Sequence, residues 1–105
     1  MKELRVVTVC GMGMGTAILL KMLVEKCCQK LGVNCTIEVG NVAIAGSFKD
    51  NYDIIVAGSE LKDNLSHVGL PLVLVSSFIN EESCLLEMKK VLSREFNYKP
   101  SEKAS

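Results

Sequence analysis

The chain has 105 residues, which is enough for one small domain with a single core and too few for a two-domain enzyme. Its 12 basic and 12 acidic side chains balance, so no net field points to a nucleic-acid partner or an anionic membrane surface. No apolar run approaches the ~18–20 residues that a membrane span requires, and we expect neither a span of its own nor a signal peptide.

The first predicted element is a buried strand at Leu4–Val9, because its residues are mostly apolar and β-branched. The strand leads into Cys10, and glycines at alternate positions in residues 11–15 allow a tight turn that exposes backbone N–H groups. A helix is predicted from Thr16 onward, and the N–H groups at a helix N-terminus favour an anion. A thiol at such a terminus also ionises more readily. The pattern therefore predicts a nucleophilic sulfur beside a phosphate-sized loop.

The first helix and the second strand follow from the spacing of their apolar residues. The helix spans residues 16–31 and stops at Gly32, a residue suited to a left-handed conformation. Its buried stripe comprises five apolar residues: Leu20, Leu23, Val24, Cys27 and Leu31. Residues 34–39 alternate between apolar and polar side chains, which predicts a half-exposed strand at an edge of the sheet. Residues 40–51 are expected to form a long loop that contains one helical turn.

The second half of the chain begins with a strand, a short helix and another strand. Residues 53–57 are apolar without alternation, as in a central parallel strand. Ser59 is expected to cap a short helix that ends before Gly69. The fourth predicted strand is Leu72–Val75, another short apolar run.

The last predicted element is a helix with a clear N-terminal signal. Asn80 is a good N-cap, and Glu81 and Glu82 in the first turn complement the helix dipole. The buried stripe of this helix comprises Leu85, Met88 and Leu92. Residues 97–105 are polar and contain a proline, so they are predicted to form a disordered tail.

The alternation of strands and helices predicts an α/β fold. We expect a single three-layer domain with a four-stranded parallel sheet, strand order 2-1-3-4, and helices on both faces. In such sheets, ligands bind at the carboxyl ends of the strands, beside the point where the strand order reverses. The prediction therefore places Cys10 at the binding edge of the sheet.

Other loop-based sites fit these residues less well. A GxGxxG dinucleotide loop fails because Thr16 occupies the place of its third glycine, although Glu38 could imitate the ribose-binding acid. A Walker A loop is excluded because no Gly-Lys-Ser/Thr follows. A low-molecular-weight tyrosine phosphatase has the pattern C-x5-R, and Thr16 again replaces its arginine. Tyr52 and Asp53 weakly resemble the segment that carries the Asp general acid of that family. They precede a strand, however, and so belong to the end of the sheet opposite Cys10.

The segment from Cys10 to Thr16, which reads Cys-Gly-Met-Gly-Met-Gly-Thr, resembles the loop of IIB components of the bacterial sugar phosphotransferase system (PTS). It is most similar to the ascorbate-type branch, whose loops read Cys-Gly-x-Gly-x-Gly-Ser/Thr, whereas the lactose/cellobiose and galactitol branches have less regular glycines. The resemblance implies a PTS IIB-like phosphocarrier domain over residues 1–96. It also implies the activity of a protein-phosphohistidine–sugar phosphotransferase.

The resemblance further implies a route for the phosphoryl group. Cys10, the catalytic residue, would receive it from a phosphohistidine on a partner IIA domain. It would then pass the group to a sugar of the ascorbate type, held in the membrane-embedded IIC transporter. No metal and no cofactor are required. The protein would work in the cytoplasm, associated with the inner face of the membrane through IIC.

Backbone N–H groups of the loop are predicted to bind the phosphoryl oxygens. They belong to Gly11, Met12, Gly13, Met14, Gly15, Thr16 and Ala17. Thr16 could also donate its hydroxyl or cap the helix. A loop without arginine and general acid would keep the phosphocysteine from prompt hydrolysis, which a relay needs. Two alternatives stay open: a cysteine-dependent phosphatase of the low-molecular-weight type, and a regulatory IIB-like domain that docks a phosphorylated partner.

The remaining reactive side chains have simpler interpretations. None of the cysteines matches a zinc or CxxC spacing. Four of them are expected to be reduced core or surface thiols: Cys27, Cys28, Cys35 and Cys84. His67 is interpreted as a surface residue at the end of the short third helix rather than as a phosphohistidine. Ser59, Ser76 and Ser77 follow strands three and four and are interpreted as caps or turn residues.

Overall fold

Four parallel strands form a sheet that lies between two layers of helices. The computed structural model describes residues 3–10, 14–75 and 81–96. The strands are β1 (Leu4–Val9), β2 (Cys35–Gly40), β3 (Ile54–Gly58) and β4 (Leu72–Val75). Their order is β2-β1-β3-β4, and every pairing is parallel. The predicted α/β fold and strand order are confirmed.

Two long helices cover one face of the sheet. They are α1 (Met14–Leu31) and α4 (Glu81–Phe96), and all five residues of the predicted stripe of α1 are buried. Leu85, predicted to be buried, is only partly so. The buried stripe of α4 is instead Cys84, Met88, Val91 and Leu92. None of the helices that the structure describes combines the length and apolarity needed to cross a bilayer.

Shorter helical segments cover the other face. The connection from β2 to β3 forms a 3₁₀ helix (Val42–Ser47) followed by α2 (Phe48–Asn51), so it is more helical than the predicted loop. The buried residues form two hydrophobic cores, one on each face of the sheet. Phe48 explains why the connection is helical, because its fully buried side chain holds the segment in the second core, on the face opposite α1 and α4. The strands contribute alternate residues to this core: Val7, Val9, Ile55 and Ala57.

The segment between β3 and β4 starts without the predicted cap. It consists of three short helices: a 3₁₀ helix at Ser59–Leu61, α3 at Lys62–Leu65 and a 3₁₀ helix at Ser66–Val68. Gly58 is the N-cap and no side chain makes a capping hydrogen bond, so the predicted Ser59 cap is wrong. The reason is that helical structure begins directly at Ser59, one residue after the strand ends. The segment ends before Gly69, as predicted, and the φ of 89° at Gly69 is left-handed.

The ends of other elements differ slightly from the prediction. Helix α1 begins at Met14 rather than Thr16, and its predicted stop is confirmed by the positive φ of 72° at Gly32. Strands β2 and β3 each begin and end one residue later than predicted, whereas β1 and β4 have the predicted bounds. The predicted N-cap Asn80 and the predicted tail 97–105 lie outside the described residues.

The strand register defines two edges of the sheet. Val9 pairs with Gly40 of β2 and with Ala57 of β3, so the carboxyl ends of these strands meet at what we call the carboxyl edge. At the amino edge, Leu4 pairs with Cys35. Strand β2 is the outer neighbour of β1 and is partly exposed, which confirms the predicted edge strand.

Candidate functional site

Cys10 is the first residue after β1 and lies at the carboxyl edge. The residue is buried, with 8% of its surface exposed. Helix α1 begins four positions later, at Met14, and Cys10 and this helix N-terminus therefore flank one short connection. Gly11, Met12 and Gly13, which the sequence predicts to bind phosphate, are outside the described residues.

The other predicted phosphate-binding residues, 14–17, share the first turn of α1. The N–H groups of a first turn have no carbonyl partner within their own helix, and they attract an anion. Gly15 is exposed, and a Cβ built there would meet no atom within 4 Å, so the turn is open at this position. Ala17 is buried and Thr16 is half-buried. Because α1 begins before Thr16, the alternative in which this residue caps the helix is wrong.

Thr8 anchors the first turn of α1 to the sheet. The residue is fully buried, and its hydroxyl oxygen lies 3.3 Å from the carbonyl oxygen of Ala17 and 3.4 Å from that of Glu38. A hydroxyl donates one proton at a time, so Thr8 links β1 either to α1 or to β2. Sequence reasoning missed this positioning residue. The available signal was a lone hydroxyl in the apolar part of a central strand, two residues before Cys10.

The residues that a phosphatase would need lie elsewhere. The Asp53 carboxylate accepts hydrogen bonds from the backbone N of Arg5 at 2.9 Å and from its Nη2 at 3.2 Å. These contacts raise the pKa of Arg5. Arg5 and Cys10 stand at opposite ends of β1, about 16 Å apart at the usual strand rise. The chain's other arginine, Arg94, pairs with Glu95 at 3.3 Å in the last turns of α4.

Glu38, which could have served as a ribose-binding acid, is instead hydrogen-bonded to a side chain of the neighbouring segment. Its Oε1 accepts a hydrogen bond from the Tyr52 hydroxyl at 2.8 Å. Partial burial and this bond to a carboxylate raise the pKa of Tyr52. The ring of Tyr52 in turn packs edge-on against Phe48, with 5.6 Å between ring centroids. Glu38 and Tyr52 therefore connect β2 to the segment that leads into β3.

The remaining predicted polar residues are distributed over several places. Ser59 is exposed and follows β3 at the carboxyl edge, whereas Ser76 and Ser77 are outside the described residues. His67 is exposed in the 3₁₀ helix after α3, which confirms its predicted surface position. Within residues 3–10, 14–75 and 81–96, no three potential metal ligands are grouped together.

A comparison with known protein families identifies the family of this domain. Residues 5–94 match the family described as "PTS system, Lactose/Cellobiose specific IIB subunit". The chain belongs to this IIB family. IIB components are phosphotransferases that act between a IIA component and a sugar, so this IIB protein is a sugar phosphotransferase component.

Two relatives of this IIB protein illustrate the match. The ascorbate-specific PTS system EIIB component of Mycoplasma pneumoniae is 28% identical over 92 residues, which cover 87% of this chain and 97% of the relative. The solved lactose-specific IIB domain of Streptococcus pneumoniae is 20% identical and superposes with a TM-score of 0.58. That match covers 90% of this chain and 99% of the solved one, and it supports the fold.

Proposed function

We propose that this IIB protein carries a phosphoryl group on Sγ of Cys10, received from a phosphohistidine of a partner IIA domain and passed to a sugar in a IIC transporter. The observation that carries the proposal is the position of Cys10, between the end of β1 and the first turn of α1. Parallel α/β sheets bind ligands at the carboxyl edge. The helix N-terminus adds N–H groups that suit phosphoryl oxygens.

In the first transfer, the thiolate of Cys10 attacks the phosphorus atom of the phosphohistidine. The S–P bond forms as the P–N bond breaks, and the imidazole leaves with the electron pair of that bond. The N–H groups of residues 14–17 hold the phosphoryl oxygens, together with those of Gly11, Met12 and Gly13. Backbone donors fixed in a helix turn need little reorganisation during the transfer, which lowers its barrier.

In the second transfer, a sugar hydroxyl oxygen attacks the phosphorus atom. The O–P bond forms as the S–P bond breaks, and the thiolate of Cys10 is regenerated. The hydroxyl proton passes to solvent or to a base of the transporter. Each cycle therefore returns the IIB protein to its starting state and uses no metal or cofactor.

The phosphocysteine must survive between the two transfers. Rapid hydrolysis of such an adduct needs an arginine clamp and a carboxylate that takes a proton from the attacking water. No arginine occurs in residues 6–93, and Asp53 is bonded to Arg5 at the amino edge. This arrangement favours a carrier over a phosphatase.

We propose ascorbate as the sugar. The support is the regular Cys-Gly-x-Gly-x-Gly-Thr pattern at residues 10–16, together with the name of the Mycoplasma pneumoniae relative, an ascorbate-specific component. A carrier that exchanges phosphate between a IIA domain and a IIC transporter works at the inner face of the membrane. We therefore place the protein in the cytoplasm, attached to the membrane through IIC.

Phosphorylation by a IIA partner tests the carrier residue. The purified chain is mixed with an ascorbate-type IIA domain that is phosphorylated on histidine, and the product is examined by phosphorus NMR. We expect one resonance of phosphorus bound to sulfur, absent in Cys10→Ser because an un-ionised hydroxyl is a far poorer nucleophile. Cys35→Ser, a change at another accessible cysteine, and His67→Ala should retain the resonance. Acid-labile phosphate on His67 would refute the assignment.

The second transfer distinguishes the sugar and the function class. The phosphorylated protein is added to membrane vesicles that contain an ascorbate-type or a lactose-type IIC transporter, with the matching sugar. Ascorbate phosphate should form only in the first case. Phosphorylation without transfer to any sugar would favour a regulatory IIB-like domain, and rapid release of inorganic phosphate would favour a phosphatase.

A further inference from the structure

Two cysteine side chains meet at the amino edge, away from the proposed phosphorylation site. Cys28 lies in the last turns of α1 and Cys35 is the first residue of β2. Their Sγ atoms are 2.6 Å apart and share a hydrogen bond. The left-handed turn at Gly32 folds the chain back between them and brings the two sulfurs together. A disulfide bond of ~2.05 Å therefore needs an approach of only about 0.6 Å.

Both cysteine residues line a cavity on the protein surface. The cavity has a volume of about 440 Å³ and is also lined by Gln29 and Asn34. Cys35 is half-buried, whereas Cys28 is 4% exposed. A small solute can therefore reach Cys35 first, with Cys28 directly behind it.

The pKa values of the two thiols also differ, and the more accessible thiol is the more acidic. The hydrogen bond from the Cys28 thiol lowers the pKa of Cys35. The same bond and burial raise the pKa of Cys28. The more accessible sulfur is thus the one that ionises first, and a thiolate is the form that reacts with oxidants.

We propose that Cys28 and Cys35 are an oxidisable dithiol that forms a reversible disulfide with a hydroperoxide as the oxidant. The Cys35 thiolate attacks the O–O bond and becomes a sulfenic acid, while the departing oxygen takes up a proton. The Cys28 sulfur then attacks Sγ of Cys35, loses its proton and displaces the hydroxyl as water. Two thiols are oxidised to one disulfide, and one molecule of hydrogen peroxide is reduced to two of water.

A second cysteine pair in the same core provides an internal comparison. Cys27 and Cys84 also share a thiol hydrogen bond, which joins α1 to α4. Both residues are 0% exposed, so a peroxide in solution has no direct access to either sulfur. The proposal therefore concerns Cys28 and Cys35 alone, although Cys27 and Cys28 are adjacent in the chain.

Peroxide treatment of the full chain tests the proposal. Cys10→Ser serves as the parent, so that only the two pairs remain, and cross-linked tryptic peptides are identified by mass spectrometry under non-reducing conditions. We expect a link between the peptides containing Cys28 and Cys35 that a thiol reductant reverses. Closing the loop of residues 28–35 should raise Tm by on the order of 5–10 °C.

Two matched variants identify the sulfur on α1. Cys27→Ala should keep the link to Cys35, and Cys28→Ala should lose it, because only the Cys28 sulfur contacts Cys35. Circular dichroism of both variants checks that they remain folded. The proposal is overturned if the link survives in Cys28→Ala, if Cys35 accumulates as a sulfinic acid instead, or if no link forms at peroxide concentrations that oxidise free cysteine.

Discussion

The two edges of the sheet are stabilised by different kinds of contact. At the amino edge, charged side chains pair across the fold, as Asp53 does with Arg5. At the carboxyl edge, the contacts are close packing of side chains against a glycine and hydrogen bonding by a buried hydroxyl. Gly40 lies against Phe48 with no room for a side chain, and the Thr8 hydroxyl contacts main-chain carbonyl groups.

This difference suits the chemistry proposed for the carboxyl edge. A transferred phosphoryl group is best held by backbone donors that keep their positions throughout the reaction. Exposed ion pairs at the amino edge are solvated and screened, so they contribute little to stability and can be exchanged without much effect. We therefore expect substitutions at the carboxyl edge to affect both stability and transfer, and those at the amino edge to change stability slightly and leave transfer unchanged.

Gly40→Ala is expected to have the largest effect on stability. The new Cβ would lie 2.8 Å from Cγ2 of Val7 and 3.0 Å from Cζ of Phe48, and relieving such overpacking costs ~1–3 kcal/mol. Gly46→Ala is the control, because its Cβ would meet nothing within 4 Å. Urea denaturation measures both variants. Equal midpoints would mean that β2 moves to accommodate the methyl group.

Thr8→Val tests the anchor of α1 with a side chain of nearly the same shape. The variant loses the buried hydroxyl that contacts the carbonyl groups of Ala17 and Glu38, and the expected loss is about 1 kcal/mol. Phosphoryl transfer to Cys10 should also be slower under conditions in which the variant is fully folded, because the first turn of α1 is less firmly held. The rate is measured with phosphorylated IIA. An unchanged rate would mean that Thr8 contributes to stability and does not position the first turn of α1 for transfer.

Asp53→Asn tests the opposite edge. It removes the charge that pairs with Arg5, whose side chain is 50% exposed. We expect a decrease in Tm smaller than that of Thr8→Val, and an unchanged rate of phosphoryl transfer to Cys10. A slower transfer would show that the amino edge influences the site and would contradict the separation of the two edges.

The smallest expected effect is a pH dependence where α1 meets α4. Glu81 Oε2 lies 2.5 Å from Nζ of Lys30, and this contact holds the pKa of Glu81 below its ordinary value of 4.5. A lowered carboxyl pKa stabilises the fold above that value and loses this contribution as the pH falls through the folded pKa. Glu81→Gln should therefore lower Tm slightly at pH 7, and this effect should disappear once the pH falls below the folded pKa of Glu81.

Lys30→Met provides the control for that measurement. It removes the same ion pair from the other side, so it should reproduce the pH dependence of Glu81→Gln. The double variant should show no further change in it. If the double variant instead lowered Tm at pH 7 by the sum of the two single effects, the two side chains would be acting independently.

Local sequence patterns predicted most of the fold, because they act within one element. The apolar runs at Leu4–Val9 and Leu72–Val75 predicted both strands with their observed bounds. The connection from β2 to β3 was less predictable. Its helical structure depends on Phe48 reaching the second core, and such a tertiary contact leaves no local period in the sequence.

The candidate site was predictable only in part. Glycine spacing and Cys10 indicated the loop, and the structure places residues 14–17 of the predicted set in one helix turn. Thr8 was missed because its role depends on where Ala17 lies in space. The proximity of Cys28 to Cys35 was missed for a related reason. Their spacing matches no recognised motif, and a left-handed turn between them brings the sulfurs together.

The strand order also determines when the sheet can assemble on the ribosome. β1 is made first, yet its neighbours are β2 and β3, and Val6 finds its partner Ile54 only 48 positions later. A nascent chain that ends before β3 therefore exposes one side of β1, an unpaired edge of the kind that promotes aggregation. Such distant pairings also slow folding. The segment that leads into Cys10 can gain both neighbours only after β3 has been synthesised.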